Sequence, residues 1–445
     1  MRQLVRWGAA WSFLVSLALG PERAWGAEAD ADILRQLRQL QQQNEALQQQ
    51  MRKQQELIDE LSGKISRIEI DDGREAETRN AKSEVRKESP PLAERSGFSL
   101  GKVHLSGEGA VGFFHSQPRG QFPNAEFRVD EAKLFIESPI WKEVYFFSEI
   151  NAFTREEGVL SVGEVYLDAE NVSRLWNQDR QVSLRIGRFD VPFGEEYLTR
   201  DAIDNPLISH SIMDLWGVDE GVEFYGAFNK LQYVLAVQNG NHDTLRDFNS
   251  DKSVALRIGV DPAPWLHLSV SAMRTGDLGA TSDWVSELWL GPGLIYSLGS
   301  AQTTEFHANL LEGDVHVKLP RTTLKGSGGV LQYGDNDPLA KNRRDVYYYY
   351  LEAVQNIHKG FYAAARWSQV FAPKGFPIAG IGDGPTYGWG PNITRDLWLL
   401  SLGLGYRWSN QLVVKGEYSF EHGREIEGAR RNHEDLLALT AAFAF

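Results

Sequence analysis

A group of carboxylates lies between Gly194 and Leu215. Glu195, Glu196, Asp201, Asp204 and Asp214 stand there against Arg200, with His210 nearby. Five carboxylates so close together could set a field along a narrow passage. Catalysis would need a partner pattern, and none of the usual ones is present. There is no HExxH, no P-loop and no GxSxG elbow. Cys is absent, which removes thiolate metal sites, a Cys nucleophile and disulfides. The ten His form no close ligand pair. Glu164 and Asp168 alternate within one short run, which fits a polar wall better than an acid/base pair. Gly326-Ser327-Gly328-Gly329 is too short to cradle phosphate, and Asp335-Asn336-Asp337 is an ordinary polar loop tip. We therefore expect no enzyme activity, no cofactor and no metal.

The elements that carry these residues have a period of two. In the first, Val103, Leu105, Val111 and Phe113 share one parity, and Lys102, His104, Ser106 and Glu108 the other. Val144, Phe146 and Ile150 oppose Glu149 and Asn151, and Val182, Leu184 and Ile186 alternate with Ser183 and Arg185. Further strands are expected near 126–137, 162–170, 221–228, 231–239, 253–260, 264–273, 286–297, 304–319, 322–332, 345–356, 361–370, 397–408, 410–420 and 435–445. Phe228-Asn229-Lys230 and Trp408 to Gln411 read as tight turns, and 333–344 and 372–395 as long loops. The last strand carries Leu437, Leu439, Ala441, Phe443 and Phe445 on one parity up to the final residue, where chain ends usually fray into water. Mean hydropathy is −0.37, and no apolar run after the N-terminus is long enough for a membrane helix. Strands that alternate lipid-facing and lumen-facing side chains keep average hydropathy low. Residues 98–445 thus predict an all-β transmembrane fold, an antiparallel barrel of about 16 strands, at about 22 residues per strand and connection. A soluble β-helix or sandwich is the alternative. The net charge of −14 gives no basic surface for nucleic acid.

The N-terminus predicts export. Arg2 and Arg6 precede an apolar stretch from Gly8 to Gly20, Pro21 breaks it, and Ala24-Trp25-Gly26 offers a cleavage site, so 1–26 reads as a signal peptide. Over 27–70 a seam runs through Ile33, Leu37, Leu40, Asn44, Leu47, Met51, Gln54, Ile58, Leu61, Ile65 and Ile68 in steps of four and three. That is a coiled-coil pattern, with Asn44 and Gln54 as register-setting polar positions, roughly 50 Å long at helical rise. Residues 71–97 read as a flexible linker.

Four segments resemble the phosphate-selective porin O/P family of Gram-negative outer membranes. They are Phe127 to Glu137, Trp141 to Ile150, Val165-Tyr166-Leu167 and, most specific, Leu184 to Gly194, similar to the strand leading into a pore-constricting loop. The resemblance implies a sixteen-stranded outer-membrane barrel, a homotrimer, with the third long loop folded into the lumen. It implies a water-filled channel for small hydrophilic solutes or ions, including anions such as phosphate. The pore would be lined by Lys102, Arg128, Lys133, Glu149, Glu164, Asp168, Arg185 and Arg188, with Glu195, Glu196, Arg200, Asp201 and Asp204 on the constriction loop. The sequence departs from a basic filter: Asp130-Glu131 follows Arg128, and the loop is acidic. Weak cation selectivity or none is the expectation, unless wall arginines outweigh the loop. The partners expected are outer-membrane lipid and, through a periplasmic coiled coil, the cell wall. In the alternative function the coiled coil is a structural tether.

Overall fold

The computed structural model describes residues 97–445 apart from 154–159, 216, 241–246, 248–249, 281–301, 340–341 and 379–392. The expected signal peptide, coiled coil and linker up to residue 96, and the strand expected at 286–297, lie outside the described residues.

Sixteen long strands follow one another: β1 Val103–Ser116, β2 Glu126–Trp141, β3 Val144–Phe153, β4 Ser161–Ala169, β5 Ser183–Asp190, β6 Val218–Phe228, β7 Leu231–Gln238 and β8 Ser253–Ala263. They continue with β9 Leu266–Arg274, β10 Glu305–Lys318, β11 Thr322–Asp335, β12 Arg344–His358, β13 Phe361–Phe376, β14 Thr394–Ser409, β15 Leu412–Glu425 and β16 Leu436–Ala444. Each pairs antiparallel with the next, and β16 pairs with β1 from Leu436↔Ser116 to Ala444↔Glu108. The sheet is thereby closed, which leaves no long edge with unpaired backbone groups. The period-two region opens with a hairpin. Phe98–Leu100 folds back on β1, because Gly101, at φ 65°, turns the chain one residue before Lys102.

One end of the barrel carries short connections, apart from 170–182 between β4 and β5. Lys142-Glu143, Asn229-Lys230, Lys359-Gly360 and Asn410-Gln411 are two-residue turns. Glu143, Asn229, Lys359 and Gly360 take the positive φ that such hairpins need. The opposite end carries the longer loops, so we call the two ends the turn end and the loop end.

The two faces separate by parity. Ser253, Ala255 and Arg257 of β8 point inward and are buried, whereas Val254, Leu256 and Ile258 point outward and are exposed. The outward face is mainly apolar, with Val270, Leu351 and Leu404 all more than half exposed. So continuous an apolar belt belongs against lipid. Exposed Trp141, Phe228, Trp265, Phe361, Trp408 and Phe445 ring the turn end, and Phe127, Tyr347 and Phe371 lie toward the loop end. Closure depends on Gly107 and Gly109. A Cβ there would come within 2.5 Å of the Phe445 ring and 2.9 Å of the Phe443 ring. The terminal rings therefore lie over these two glycines of β1, and Phe445 N–H and C=O both pair with Gly107.

Candidate functional site

The lumen is polar and crowded, and the connection 191–217 fills much of it. It follows β5, an outward-running strand if the termini are taken as the inner side, and it is the third connection at the loop end. Nearly every residue from Val191 to Leu215 is at least partly buried. Apolar anchors hold its two ends: Val191, Phe193, Ile212, Met213 and Leu215 pack with Leu310, Leu331 and Tyr348 of the wall. Its middle, Ala202, Ile203 and Leu207, packs with Tyr362, Ala364 and Val413.

Polar contacts fix the loop in register. Arg257 of β8 donates to Gly194 O (3.1 Å) and to the Tyr197 hydroxyl (2.8 Å). Ser271 of β9 accepts the Gly194 N–H at 3.1 Å. Lys415 of β15 donates to three loop carbonyls, Ala202 (2.8 Å), Asn205 (3.0 Å) and Leu207 (2.7 Å). Arg407 of β14 holds Ile203 O at 2.7 Å, and Arg366 of β13 holds Ser209 O at 2.7 Å. Glu417 accepts the Ile208 and Ser209 N–H groups. A buried backbone needs such partners, and cations satisfy carbonyls most strongly.

The loop acids do not all face the passage, contrary to the expectation of five carboxylates opposed by one arginine. Glu195 lies 3.7 Å from Arg257 and 3.3 Å from His267. Burial alone would raise its pKa, but Arg257 and then His267 hold it down at about 2. Glu196 accepts the Ser211 N–H at 2.7 Å and the Ser211 hydroxyl, and lies 3.9 Å from Arg366. Burial and the neighbouring Asp214 push its pKa up to about 7. Asp214 pairs with Arg200 at 2.7 Å. Strand parity brings each wall base to the loop from a distant part of the chain.

Asp201 and Asp204 are different. The Asp201 side chain is 46 % exposed and meets Lys133 of β2 at 2.6 Å. Asp204 is exposed. Glu108 and Glu131 also flank Lys133, at 3.2 and 3.0 Å. Glu149 and Glu164 on the adjoining wall lie within electrostatic reach of Asp201. The passage beside the loop is thus bordered by carboxylates grouped around one lysine. Oxygens of Glu108, Glu131 and Asp201 converge closely enough to suggest a cation site, and Lys133 is the cation among them. Glu196, His210 and Asp214 also converge, with Arg200 and Arg366 beside them.

The remaining sequence candidates are spread widely. Arg185 bridges Asp168 (3.1 Å) and Glu223 (3.2 Å) and lies over the Tyr166 ring, a wall brace whose charge is taken up by two carboxylates. Arg128 lies over Phe114 and Phe122 near the loop end. Arg188 shares the outward parity of Leu184 and Ile186 and pairs with Glu220 at 3.0 Å. Lys102 is exposed in the turn before β1. Sequence reasoning missed Arg257, Arg366, Arg407, Lys415 and Glu417. The available signal was a charged residue at the inward parity of a strand.

Fold and lumen together define a sixteen-stranded transmembrane β-barrel of the porin type, with a loop docked inside. No family model and no curated protein sequence matches this chain. Solved structures are similar in fold. The outer membrane channel DcaP of Acinetobacter baumannii aligns over 79% of this chain and 100% of its own, at 12% identity and TM-score 0.53. OmpT of Vibrio cholerae, folded in vitro, aligns over 79% and 100% at 8% identity and TM-score 0.52. Its trimer form aligns over 78% and 100%, at 10% identity and TM-score 0.50.

Proposed function

We propose that the chain forms a water-filled channel in a bacterial outer membrane, through which small hydrophilic solutes and ions diffuse passively. The observation that carries this reading is the charged lumen inside an apolar-faced barrel, narrowed by a loop that leaves Asp201 and Asp204 open to the passage. Single-channel recording in planar bilayers tests it. Discrete conductance steps are expected, and folded protein that gives none would sink the proposal.

Selectivity follows from the same residues. Carboxylates grouped around Lys133 favour cations weakly, because low-dielectric walls strengthen their field. The phosphate-selective alternative rests on the resemblance over 127–194, and the acid-rich passage weighs against it. We further propose a trimer, supported by the resemblance and by the trimer form of the similar OmpT. In this reading the 33–68 seam is its periplasmic coiled coil, long enough to reach toward the cell wall. Cross-linking that saturates at dimer would contradict the trimer. A tether predicts that deleting 28–96 harms envelope integrity and leaves conductance intact.

A further inference from the structure

Outside the lumen, at the loop end of β14 and β15, the wall carries a cleft of about 560 Å³. Trp398, His422, Arg424, Arg430, His433 and Asp435 are among the residues that line it. Trp398 shares the outward parity of Leu400 and Leu402. His422 and Arg424 share that of Tyr418 and Phe420, so the cleft opens on the lipid side. Its floor is aromatic. Trp398 stacks on Trp367 at 5.0 Å and packs against His422 at 4.9 Å. Trp367 in turn donates its N–H to the Tyr349 hydroxyl at 3.3 Å.

The rim of the cleft is basic. Arg424 and Arg430 are exposed and make no ion pair among the described residues. The acid in the cleft is already engaged: Asp435 accepts from Gln117, Tyr418 and the Glu421 N–H. Asp396 pairs with Arg395 at 3.3 Å. The segment bearing Arg430 is held rigidly, because buried Arg431 pairs with Glu434 at 3.0 Å and donates to Ile378 O and Thr394 Oγ1.

We infer that this cleft binds the phosphorylated headgroup of a glycolipid in the leaflet at the loop end of the barrel. Tyr and Trp rings sit at headgroup level in membrane proteins, and clustered basic side chains just beyond them recognise anionic headgroups. Arg424 and Arg430 would engage phosphate oxygens through their planar forks. The acyl chains would run down the outward face over Trp398 and Trp367. The volume suits a phosphorylated sugar better than a lone ion. The inference rests on the barrel being embedded in a membrane.

The test uses the full chain in detergent, with R424Q/R430Q beside it. The probes are diphosphorylated lipid A, the same lipid without phosphates, and inorganic phosphate as competitor. The parent is expected to bind lipid A at least about tenfold more tightly than either the double variant or the dephosphorylated lipid allows. Equal binding by parent and variant, or equal binding of the dephosphorylated lipid, overturns the inference. Full displacement by inorganic phosphate overturns the lipid assignment in favour of free phosphate. Both arginines are on the surface, and unchanged heat-modifiable gel migration confirms that the variant folds. Conductance is recorded separately, so a failed channel reading is distinguishable from a failed lipid site.

Discussion

Replacing Asp201 and Asp204 by Asn should move the channel toward anions, and the structure sets the size of the effect. Asp201 meets Lys133 at 2.6 Å with nearly half its side chain open to the lumen. D201N/D204N removes two negative charges from the passage and leaves Lys133 less compensated. For an ion about 6 Å away, at an effective dielectric of about 40, each charge contributes roughly 1 kcal/mol. Salt screens part of this, since the Debye length is about 10 Å at 0.1 M. A reversal-potential shift on the order of 20 mV, equivalent to about 0.5 kcal/mol per monovalent ion, is then expected in a KCl gradient. E195Q/E196Q removes the same formal charge and should shift the potential much less, because those carboxylates lie against Arg257, His267 and Arg366. Its main effect should be a noisier open state. A D201N/D204N channel with the parent's reversal potential would refute the assignment of the field to these two acids. Equal shifts from both pairs would refute the division of roles.

Three further outcomes follow from the loop and from barrel closure. K415M leaves three buried loop carbonyls without their donor, at about 1–3 kcal/mol each before relaxation. Larger and noisier conductance is expected, and parent-like noise with unchanged heat stability would count against the anchor. F443A/F445A strips the rings that lie on Gly109 and Gly107. The yield of membrane-inserted barrel should fall while the inserted fraction conducts normally, and a normal yield would contradict the closure argument. Glu196 titrates at about 7 in the docked loop against an ordinary 4.5, so docking favours its protonated form. Its contribution is fully present below about 4.5 and is lost as pH climbs to about 7, while Glu195, held at about 2, stays charged throughout. Open-channel noise should rise between pH 5 and pH 8 and lose that dependence in E196Q.

The barrel itself was legible because its signal is local. Alternation in β8 or in the terminal strand needs only neighbouring residues, and a two-residue turn such as Asn229-Lys230 fixes the next strand's register. The number sixteen came with the family resemblance, and chain length agrees with it at about 22 residues per strand and connection. What stayed hidden was backbone that changes direction without changing composition. Phe98–Leu100 has the same apolar character as β1, so nothing but Gly101 marks the hairpin. The family resemblance put Arg188 among the lumen residues. Its parity, shared with Leu184 and Ile186, places it on the other face, where Glu220 neutralises it.

The loop acids mark the deeper limit. Period two says whether a side chain points inward, but not toward which part of the opposite wall. That depends on how the sheet closes and how far its register staggers around the barrel. Glu195 and Asp201 are six residues apart in one acidic loop and alike in sequence terms. One reaches β8 and the other β2, so one becomes a fastening and the other part of the passage. Wall bases decide which, and they come from far along the chain: Lys415 grips a carbonyl 208 residues away. A cation buried at inward parity, as Arg257, Arg366 and Lys415 are, has to find an acid or a set of carbonyls, because burying it unpaired is too costly. The docked loop supplies those partners. Net loop charge is therefore a poor guide to selectivity in such a barrel, and what counts is the charge left over after the loop has been fastened.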